Sequence, residues 1–297
     1  MTLRIGLLST ARINAKLAAG ARSSSRAQVV AIASRELGRA QAQARELGVD
    51  TAHGSYEALL ADPGVDAVYV SLPNELHHEW SMRAIAAGKH VLCEKPYSRS
   101  PDDVREAFAA ADAAGVMLAE AFMWRHHPQA LKLAELVAGG AIGDLRLVRA
   151  AFSFPLTDPR DVRLLEELAG GGLMDVGCYC ISAARMLAGD PVSVTAQQLL
   201  APSGVDRRLA ATLAHEGDVL SHFDCALDLP DRSELEALGS QGVLRVSDPW
   251  HSIATGIELI AEGRVAERFE IPPANPYGCE LDDLAGAVAG EHAPRLG

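Results

Sequence analysis

The chain has 297 residues, of which 48% are hydrophobic and 22% charged, so it is globular and long enough for two domains with separate cores. Its 39 acidic and 27 basic residues give a net charge of -12 without blocks of like charge, which argues against nucleic acid or an anionic membrane as the main partner. The five cysteines show no disulfide or zinc-finger spacing, and the start of the chain has no signal-peptide pattern. These features predict a reduced, cytoplasmic compartment.

The first 120 residues alternate short apolar runs with amphipathic stretches at regular intervals. The runs predict strands and the stretches predict helices, several of which end at a glycine. The predicted strands are Leu3–Leu8, Val29–Ala33, Ala67–Ser71, His90–Cys93 and Val116–Ala119, and the predicted helices are Asn14–Ala21, Glu36–Leu47, Leu76–Ala87 and Pro101–Ala114. Continuous apolar strands between helices are typical of a parallel sheet covered on both faces. We therefore predict a doubly wound nucleotide-binding domain over residues 1–120.

The pattern changes after residue 120. Helical patterns cover His127–Val137 and Leu173–Leu187, and segments that alternate apolar with polar residues lie at Leu145–Ala150, Arg208–His215, Val219–Leu227 and Gly242–Val246. Alternation favours strands with one face toward solvent or a partner, as in antiparallel sheets. We predict a second, α+β domain over residues 121–297.

The turn after the first strand should hold the pyrophosphate of a dinucleotide, yet it lacks the glycines of the dinucleotide fingerprint. It reads Ser9-Thr10-Ala11-Arg12-Ile13-Asn14. Its hydroxyl and amide groups can donate or cap, Arg12 can reach a phosphate, and the start of the next helix offers N–H groups. The alternative is a tight turn that binds nothing, and the turn alone does not decide between the two.

The end of the second strand indicates which dinucleotide binds. An NAD site usually carries an Asp or Glu there, whereas this chain has Ser34 and Arg35, with Arg39 one helical turn further on. A hydroxyl and guanidinium groups suit a 2′-phosphate, because arginine presents a fixed fork of donors. We predict NADP, with NAD as the second choice. The alternative is that Ser34 only caps the helix and both arginines are solvated.

The stretch Cys93-Glu94-Lys95-Pro96 closes a buried strand, where ligands bind in open α/β sheets. It places an acid, a base and a proline at that point. Taken alone, these four residues favour an ordinary strand end with an exposed salt bridge over a lysine held above a reacting group.

Five blocks of sequence occur in the order seen in a known family. They are Ser9–Ile13, Ser71–Asn74 with His77, Ala87–Pro96, Glu120–Arg125 with His127-Pro128, and Gly170–Tyr179. With these blocks the chain resembles the Gfo/Idh/MocA oxidoreductases, and within them the branch of D-xylose dehydrogenases and dimeric dihydrodiol dehydrogenases.

The resemblance implies a Rossmann domain followed by a domain with a large, mainly antiparallel open sheet for substrate binding and oligomerisation. We therefore expect a homodimer or homotetramer assembled through that sheet. The resemblance also implies a cis peptide bond between Lys95 and Pro96. Relatives usually continue into another helix after the position of Gly297, so either the chain is short by nature or a piece is missing.

A second constellation follows the run Gly170-Gly171-Gly172, which allows close backbone approach. A helix from Leu173 would place Asp175 and Tyr179 on one face through their i, i+4 spacing. The resemblance implies that Lys95, Asp175 and Tyr179 are the catalytic residues near the nicotinamide, although many members have histidine in place of the tyrosine. The alternative from the residues alone is a buried tyrosine bonded to the aspartate. Cys178 and Cys180 point different ways on a helix, so no metal site is predicted.

The predicted cofactor-binding residues come from the turns and from the resemblance. They are Ser9, Thr10, Ala11, Arg12, Ile13, Ser34, Arg35, Arg39, Leu72, Pro73, Asn74, His77, Glu94, Lys95 and Arg125. His127 is a further candidate for cofactor or substrate contact, His78 and His126 are expected to be ordinary histidines, and Trp124 is expected in the core.

These residues predict an NADP-dependent oxidoreductase that moves a hydride between the nicotinamide and a sugar, such as the aldopyranose D-xylose, or a related vicinal diol. Tyr179 is the expected general base and Lys95 its electrostatic partner, since a phenol with a pKa of about 10 needs a nearby positive charge at neutral pH. Asp175 would fix the hydroxyl or the lysine, and the reverse division, with Lys95 as proton carrier, stays open. The alternative is a non-catalytic NADP sensor, which would need no acid–base set.

Overall fold

The computed structural model describes residues 2–296. The chain forms two compact units, one made of the residues up to His126 together with those from Asn275 onward, and one made of His127–Ala274. Within residues 2–296, no helix is both long enough and apolar enough to cross a membrane.

The first unit is built on a six-stranded parallel sheet in the order β3-β2-β1-β4-β5-β6. The strands are β1 (Leu3–Leu8), β2 (Ala27–Ala33), β3 (Thr51–His53), β4 (Ala67–Val70), β5 (His90–Glu94) and β6 (Leu118–Ala121). The helices between them are α1 (Asn14–Ser23), α2 (Leu37–Leu47), α3 (Tyr56–Leu60), α4 (His77–Ala86) and α5 (Pro101–Ala114). The strand order reverses between β1 and β4, which marks the switch point where ligands bind in such sheets.

Continuous apolar runs form the central strands because both faces of the sheet are covered. Leu7, Leu8, Val68 and Val70 have no exposed surface at all. The predicted glycine stops are also present, since Gly115 ends α5 with a left-handed φ of 67° that other residues adopt only with strain. This unit confirms the predicted doubly wound fold.

The second unit contains an eight-stranded sheet in the order β14-β13-β12-β11-β7-β10-β9-β8. The strands are β7 (Leu145–Ser153), β8 (Pro191–Leu200), β9 (Asp206–His215), β10 (Leu220–Ala226), β11 (Arg232–Gly239), β12 (Val243–Val246), β13 (Ile257–Ala261) and β14 (Arg264–Phe269). Strands β7 and β10 are parallel, and the other neighbouring pairs described are antiparallel. This confirms the predicted large, mainly antiparallel sheet.

Helices α6 (Pro128–Ala138) and α7 (Cys178–Ala188) belong to this unit, and a π-helical turn over Leu173–Gly177 leads into α7. The sequence predicted a single regular helix over Leu173–Leu187, so the π-helical turn is a difference at its start. Short 3₁₀ helices cover Asn74–Leu76, Met123–His126, Val162–Leu164, Glu166–Leu168 and Glu216–Asp218.

The last helix, α8 (Pro276–Val288), returns to the first unit and packs against α1. Gly20 of α1 makes this close approach feasible, because a Cβ there would stand 2.6 Å from the Cβ of Tyr277. The sequence placed residues 121–297 together in the second domain, whereas the structure groups α8 with the nucleotide-binding sheet.

Candidate active site

Lys95 directly follows β5 and is half-buried. Its peptide bond to Pro96 is cis, as the resemblance implied. The neighbouring Glu94 uses both carboxylate oxygens to hold this strand end: Oε2 accepts from the backbone N–H of Lys95 at 3.2 Å, and Oε1 accepts from the Tyr69 hydroxyl. Burial, together with the charge of Glu94, raises the pKa of Tyr69 well above its ordinary value, so Tyr69 acts as the donor.

His77 ties the loop after β4 to the turn after Lys95. It is fully buried, and its ring nitrogens lie 2.8 Å from the carbonyl oxygen of Pro96 and 2.8 Å from that of Leu72. Burial lowers the pKa of His77 even though both carbonyls favour the protonated ring. His77 thus holds these two loops together from inside the unit.

Glu280 of α8 is a buried acid that sequence analysis missed. Only 1% of its surface is exposed, and neither carboxyl oxygen has a hydrogen-bond partner among the residues described. Burial, with the nearby charges of Glu94 and Asp283, raises the pKa of Glu280 well above its ordinary value. Burial thus favours the neutral acid over the carboxylate. The only sign of this buried acid in the sequence is a glutamate placed within an apolar helical pattern.

The turn from β1 into α1 lies at the switch point of the sheet and contains Ser9, Thr10, Ala11, Arg12 and Ile13. In the described chain no side chain caps the N-terminus of α1, and its first turn contains no acidic residue. The N–H groups of Asn14, Ala15 and Lys16 donate to carbonyls of the preceding turn. What favours an anion here is therefore the positive end of the helix dipole.

The end of β2 also fits a phosphorylated ribose. Ser34 is buried and its hydroxyl accepts from the N–H of Glu36 at 3.4 Å, before α2 begins. Arg35 and Arg39 are exposed, so their guanidinium groups are accessible to an anion. The residues present thus match NADP at both phosphate positions.

In the second unit, an acid from another strand fixes the turn that carries the predicted catalytic pair. Asp206, the first residue of β9, accepts from the N–H of Leu173 at 2.7 Å. Gly171 has a φ of 121°, and a Cβ there would collide with the Asp206 carboxylate. Burial raises the pKa of Asp206, although bonds from backbone N–H groups oppose the shift. No sequence pattern singles out Asp206.

Asp175 forms an ion pair with Arg163. The guanidinium Nε lies 2.7 Å from Oδ2 of Asp175, and Nη1 lies 3.2 Å from both oxygens of Asp161. Burial opposes the charge of Arg163, but the two carboxylates outweigh it and raise its pKa. The carbonyl of Arg163 also accepts from the N–H of Gly171 at 2.8 Å. The same arginine therefore contacts the glycine run through its backbone and the aspartate through its side chain.

Tyr179 lies within a group of aromatic residues. Its ring packs edge-on against Phe152, with the ring centroids 5.3 Å apart. The centroid of the Trp250 ring lies 5.9 Å from that of Tyr179. Phe152 and Trp250 stack at 5.9 Å, and the indole N–H of Trp250 donates to the carbonyl of Ala151 at 2.9 Å. Tyr179 is 7% exposed. These rigid neighbours hold its ring in one orientation, and sequence analysis identified neither of them.

The remaining candidates have varied surroundings. Trp124 is a core residue, as predicted, and the Arg125 guanidinium lies 5.7 Å from its ring centroid. His127 is buried and caps α6 by accepting from the N–H of Gln129 at 3.1 Å. Leu72 is buried, whereas Pro73 and Asn74 are half-buried. Among residues 2–296 no three potential metal ligands lie together.

Comparison with protein families gives two matches. Residues 3–122 match the Gfo/Idh/MocA oxidoreductase family model with an NAD-binding Rossmann fold, and residues 130–245 match the Gfo/Idh/MocA C-terminal domain.

Curated relatives cover most of the chain. The chain is 40% identical to a D-xylose 1-dehydrogenase (NADP⁺) of Haloferax volcanii, over 99% of this chain and 91% of the relative. It is 37% identical to the trans-1,2-dihydrobenzene-1,2-diol dehydrogenase of Mus musculus, over 84% of this chain and 73% of the relative.

Solved structures with a similar fold include a 3-ketoreductase from Actinomadura kijaniata in complex with NADP and TDP-benzene. It has a TM-score of 0.91 and 30% identity, over 99% of this chain and 92% of the other. An aldose–aldose oxidoreductase from Caulobacter crescentus with bound glycerol has a TM-score of 0.93 and 25% identity, over 100% and 92% of the two chains.

Proposed function

The chain belongs to the Gfo/Idh/MocA family of oxidoreductases, and from this premise we propose that it is an NADP-dependent dehydrogenase of sugars or vicinal diols. Its substrate is an aldopyranose such as D-xylose, or a related diol, and the reaction moves a hydride between a substrate carbon and the nicotinamide. The relatives that act on D-xylose and on dihydrodiols support this substrate class, since both compounds present adjacent hydroxyl groups.

The observation that carries the proposal is the arrangement around Tyr179. The ring of Tyr179 packs against Phe152 and Trp250. Asp175 lies four residues earlier in the chain and forms an ion pair with Arg163. A phenol can exchange a proton with a substrate hydroxyl, and a carboxylate held by an arginine can accept a hydrogen bond from the same substrate. Aromatic faces suit the apolar side of a sugar ring or a diol.

In the oxidation direction, Tyr179 as phenolate takes the hydroxyl proton while the hydrogen on the same carbon leaves as hydride. The cofactor supplies the hydride acceptor at C4 of its nicotinamide. Lys95 supplies the positive charge that favours the phenolate, and Asp175 orients the hydroxyl. The proton and the hydride leave separate atoms, so the alcohol becomes a carbonyl compound without any other reactant. If Lys95 instead of Tyr179 accepts the hydroxyl proton, the overall reaction is the same.

NADP is the cofactor that the first unit fits. The start of α1 and the turn from Ser9 would hold the pyrophosphate, and Ser34 with Arg35 and Arg39 would hold the 2′-phosphate. The exposure of both arginines and the absence of an acid directly after β2 support this assignment.

The proposal includes a homo-oligomer assembled through the sheet of the second unit. Strand β8 forms one edge of that sheet and is exposed on both faces for most of its length. Val192 and Val194 on it are 64% and 66% exposed, and Leu199 and Leu200 are 57% and 55% exposed. An apolar edge strand of this length is a natural pairing surface. The proposed compartment is the cytoplasm, which suits five cysteines that form no disulfide within residues 2–296.

A near-ultraviolet absorbance assay tests the function. Purified protein is mixed with NADP and a panel of aldopyranoses and trans-dihydrodiols, and formation of NADPH is followed. We expect turnover with at least one panel member. Tight NADP binding without reduction by any of them would instead favour the non-catalytic sensor.

A further inference from the structure

The turn that would hold the pyrophosphate has an unusual backbone for its sequence. Ser9 has a φ of 155°, in the region that favours glycine, at the point where the dinucleotide fingerprint has its first glycine. A non-glycine residue stays in such a conformation only when its surroundings determine it. The structure shows which side chains do so.

Buried polar groups surround Ser9 on two sides. Its hydroxyl donates to the carbonyl of Ser71, at 3.0 Å, and accepts from the N–H of Ala11, also at 3.0 Å. The side-chain amide of Asn14 donates to the carbonyl of Ser9 at 2.9 Å, and its oxygen accepts from the Ser71 hydroxyl at 2.8 Å. Ser9, Asn14 and Ser71 are all buried, so these bonds are protected from water.

The network extends to α2 through Gln43. Its side-chain oxygen accepts from the amide nitrogen of Asn14 at 2.9 Å, and its own amide nitrogen donates to the carbonyl of Ala11 at 3.1 Å. The two amide hydrogens of Asn14 therefore have two acceptors, Ser9 and Gln43. Gln43 contacts the turn at two points, one through Asn14 and one directly.

Gln43 lies one helical turn after Arg39 on α2, so both side chains project from the same side of this helix. The start of α2 follows Ser34 and Arg35, which the proposed function assigns to the 2′-phosphate. The helix thus carries Arg39, which is assigned to the ribose phosphate, and one turn later Gln43, which bonds the pyrophosphate turn.

We propose that Gln43 is a positioning residue for the dinucleotide, which fixes the Ser9–Asn14 turn relative to α2 and so sets the affinity for a ligand with a pyrophosphate. This inference rests on the proposed function, because it concerns how the chain holds NADP. In a glycine fingerprint the backbone reaches this conformation without help, whereas here side-chain hydrogen bonds impose it. Removal of the glutamine amide should therefore loosen the turn without changing any group that touches the 2′-phosphate.

The test compares Gln43→Leu with Gln41→Leu in the full chain. Gln41 is an exposed glutamine on the same helix and serves as the matched control. The dissociation constants of NADP and of adenosine 2′-monophosphate are measured by isothermal titration calorimetry, with the melting temperature recorded for each variant. Adenosine 2′-monophosphate probes the 2′-phosphate contacts alone, because it lacks the pyrophosphate.

For Gln43→Leu we expect NADP binding to weaken roughly 5- to 30-fold, as loss of one or two hydrogen bonds implies, and binding of the monophosphate to stay within about twofold. Gln41→Leu should match the wild type for both ligands. Unchanged NADP binding, or equal loss for both ligands, would overturn the inference. Gln43→Ala repeats the test with a good helix former in case the leucine variant is unstable.

Failure of the proposed function would look different. If the wild-type protein binds neither ligand, the chain has no NADP site and the proposed function fails. If the wild type and Gln43→Leu bind NADP with the same affinity, only the role of Gln43 is contradicted.

Discussion

Asp175 illustrates how a partner changes the role of a predicted catalytic residue. The sequence suggested that it fixes the substrate hydroxyl or Lys95, but the structure pairs it with Arg163 at 2.7 Å. That pairing limits the rotation of the carboxylate. We therefore assign Arg163 to the positioning of Asp175, which in the proposed reaction orients the substrate.

Replacement of Arg163 tests this assignment. In Arg163→Met the carboxylate of Asp175 loses its charged partner, so we expect kcat/KM to fall about 10- to 100-fold while NADP binding stays unchanged. Steady-state kinetics with the best substrate of the panel measures the effect. Arg160→Met is the control, since Arg160 is 88% exposed and pairs with Asp158 in the same loop. Equal losses in both variants would contradict a specific role for Arg163.

Glu280 provides a prediction about pH and stability. Its pKa in the fold lies well above the ordinary value of 4.5, so the folded state keeps a proton that the unfolded chain releases. The free energy of unfolding of the wild type therefore falls as the pH rises above about 4.5, at up to about 1.4 kcal/mol per pH unit. Glu280→Gln keeps a neutral side chain and should not show this loss.

Urea unfolding at pH 6 and pH 8 measures the difference. We expect the free energy of unfolding of the wild type to fall relative to that of Glu280→Gln between the two pH values, by at most the roughly 2.7 kcal/mol that one proton allows over two pH units. The exposed Glu46→Gln serves as control and should show no such difference from the wild type. Parallel stability curves for Glu280→Gln and the wild type would show that Glu280 is ionised in the fold.

At the scale of elements, the sequence predicted strands best where burial is complete. Strand β1 was predicted with its observed bounds, because its apolar run is continuous and is flanked by turn residues. Strand β8 was missed, because the alternation in Val192-Ser193-Val194-Thr195 is short and breaks at Gln197-Gln198. The short β3 and α3 were missed as well, because three to five residues carry too little periodicity.

Some residues of the candidate site were predictable from the sequence and others were not. Lys95, Asp175 and Tyr179 lie in recognisable blocks, so they were predicted together. Arg163 and Asp206 were not, because their contacts join segments that no local pattern connects: Asp206 bonds Leu173 across 33 positions of sequence. Such contacts depend on the tertiary fold.

Strand β8 carries the prediction on assembly. Val194→Lys places a charge on the exposed edge, where burial in an interface would cost the lysine its hydration. We expect a smaller assembly than the wild type by size-exclusion chromatography with light scattering. Val265→Lys, on β14 at the opposite edge and 42% exposed, is the matched control and should keep the wild-type mass. An unchanged mass for Val194→Lys would exclude β8 from the interface.

At the scale of the whole molecule, the sequence predicted two units but not their chain composition. Helix α8 lies 250 or more residues from α1 in the sequence, yet the two pack together in the first unit. No helix was predicted from the sequence at α8, and an amphipathic pattern alone would not show which surface covers its buried face. Glu280 enters the first unit on the same helix, which explains why its burial was not foreseen.

The cofactor preference of the whole protein depends on the end of β2. In Arg35→Asp a carboxylate replaces a donor for the 2′-phosphate, so it repels that phosphate and can accept from ribose hydroxyls instead. We expect the preference for NADP over NAD to reverse, as measured by the ratio of kcat/KM for the two cofactors. An unchanged ratio would remove Arg35 from the 2′-phosphate site.

The most direct test of the central claim is the turnover number of Tyr179→Phe with saturating NADP and the best substrate of the panel. The phenylalanine keeps the aromatic packing against Phe152 and Trp250 but cannot carry a proton. We predict a fall of about 10²- to 10⁴-fold, with the dissociation constant for NADP unchanged. Near-normal turnover in this variant would contradict Tyr179 as the general base and with it the proposed mechanism.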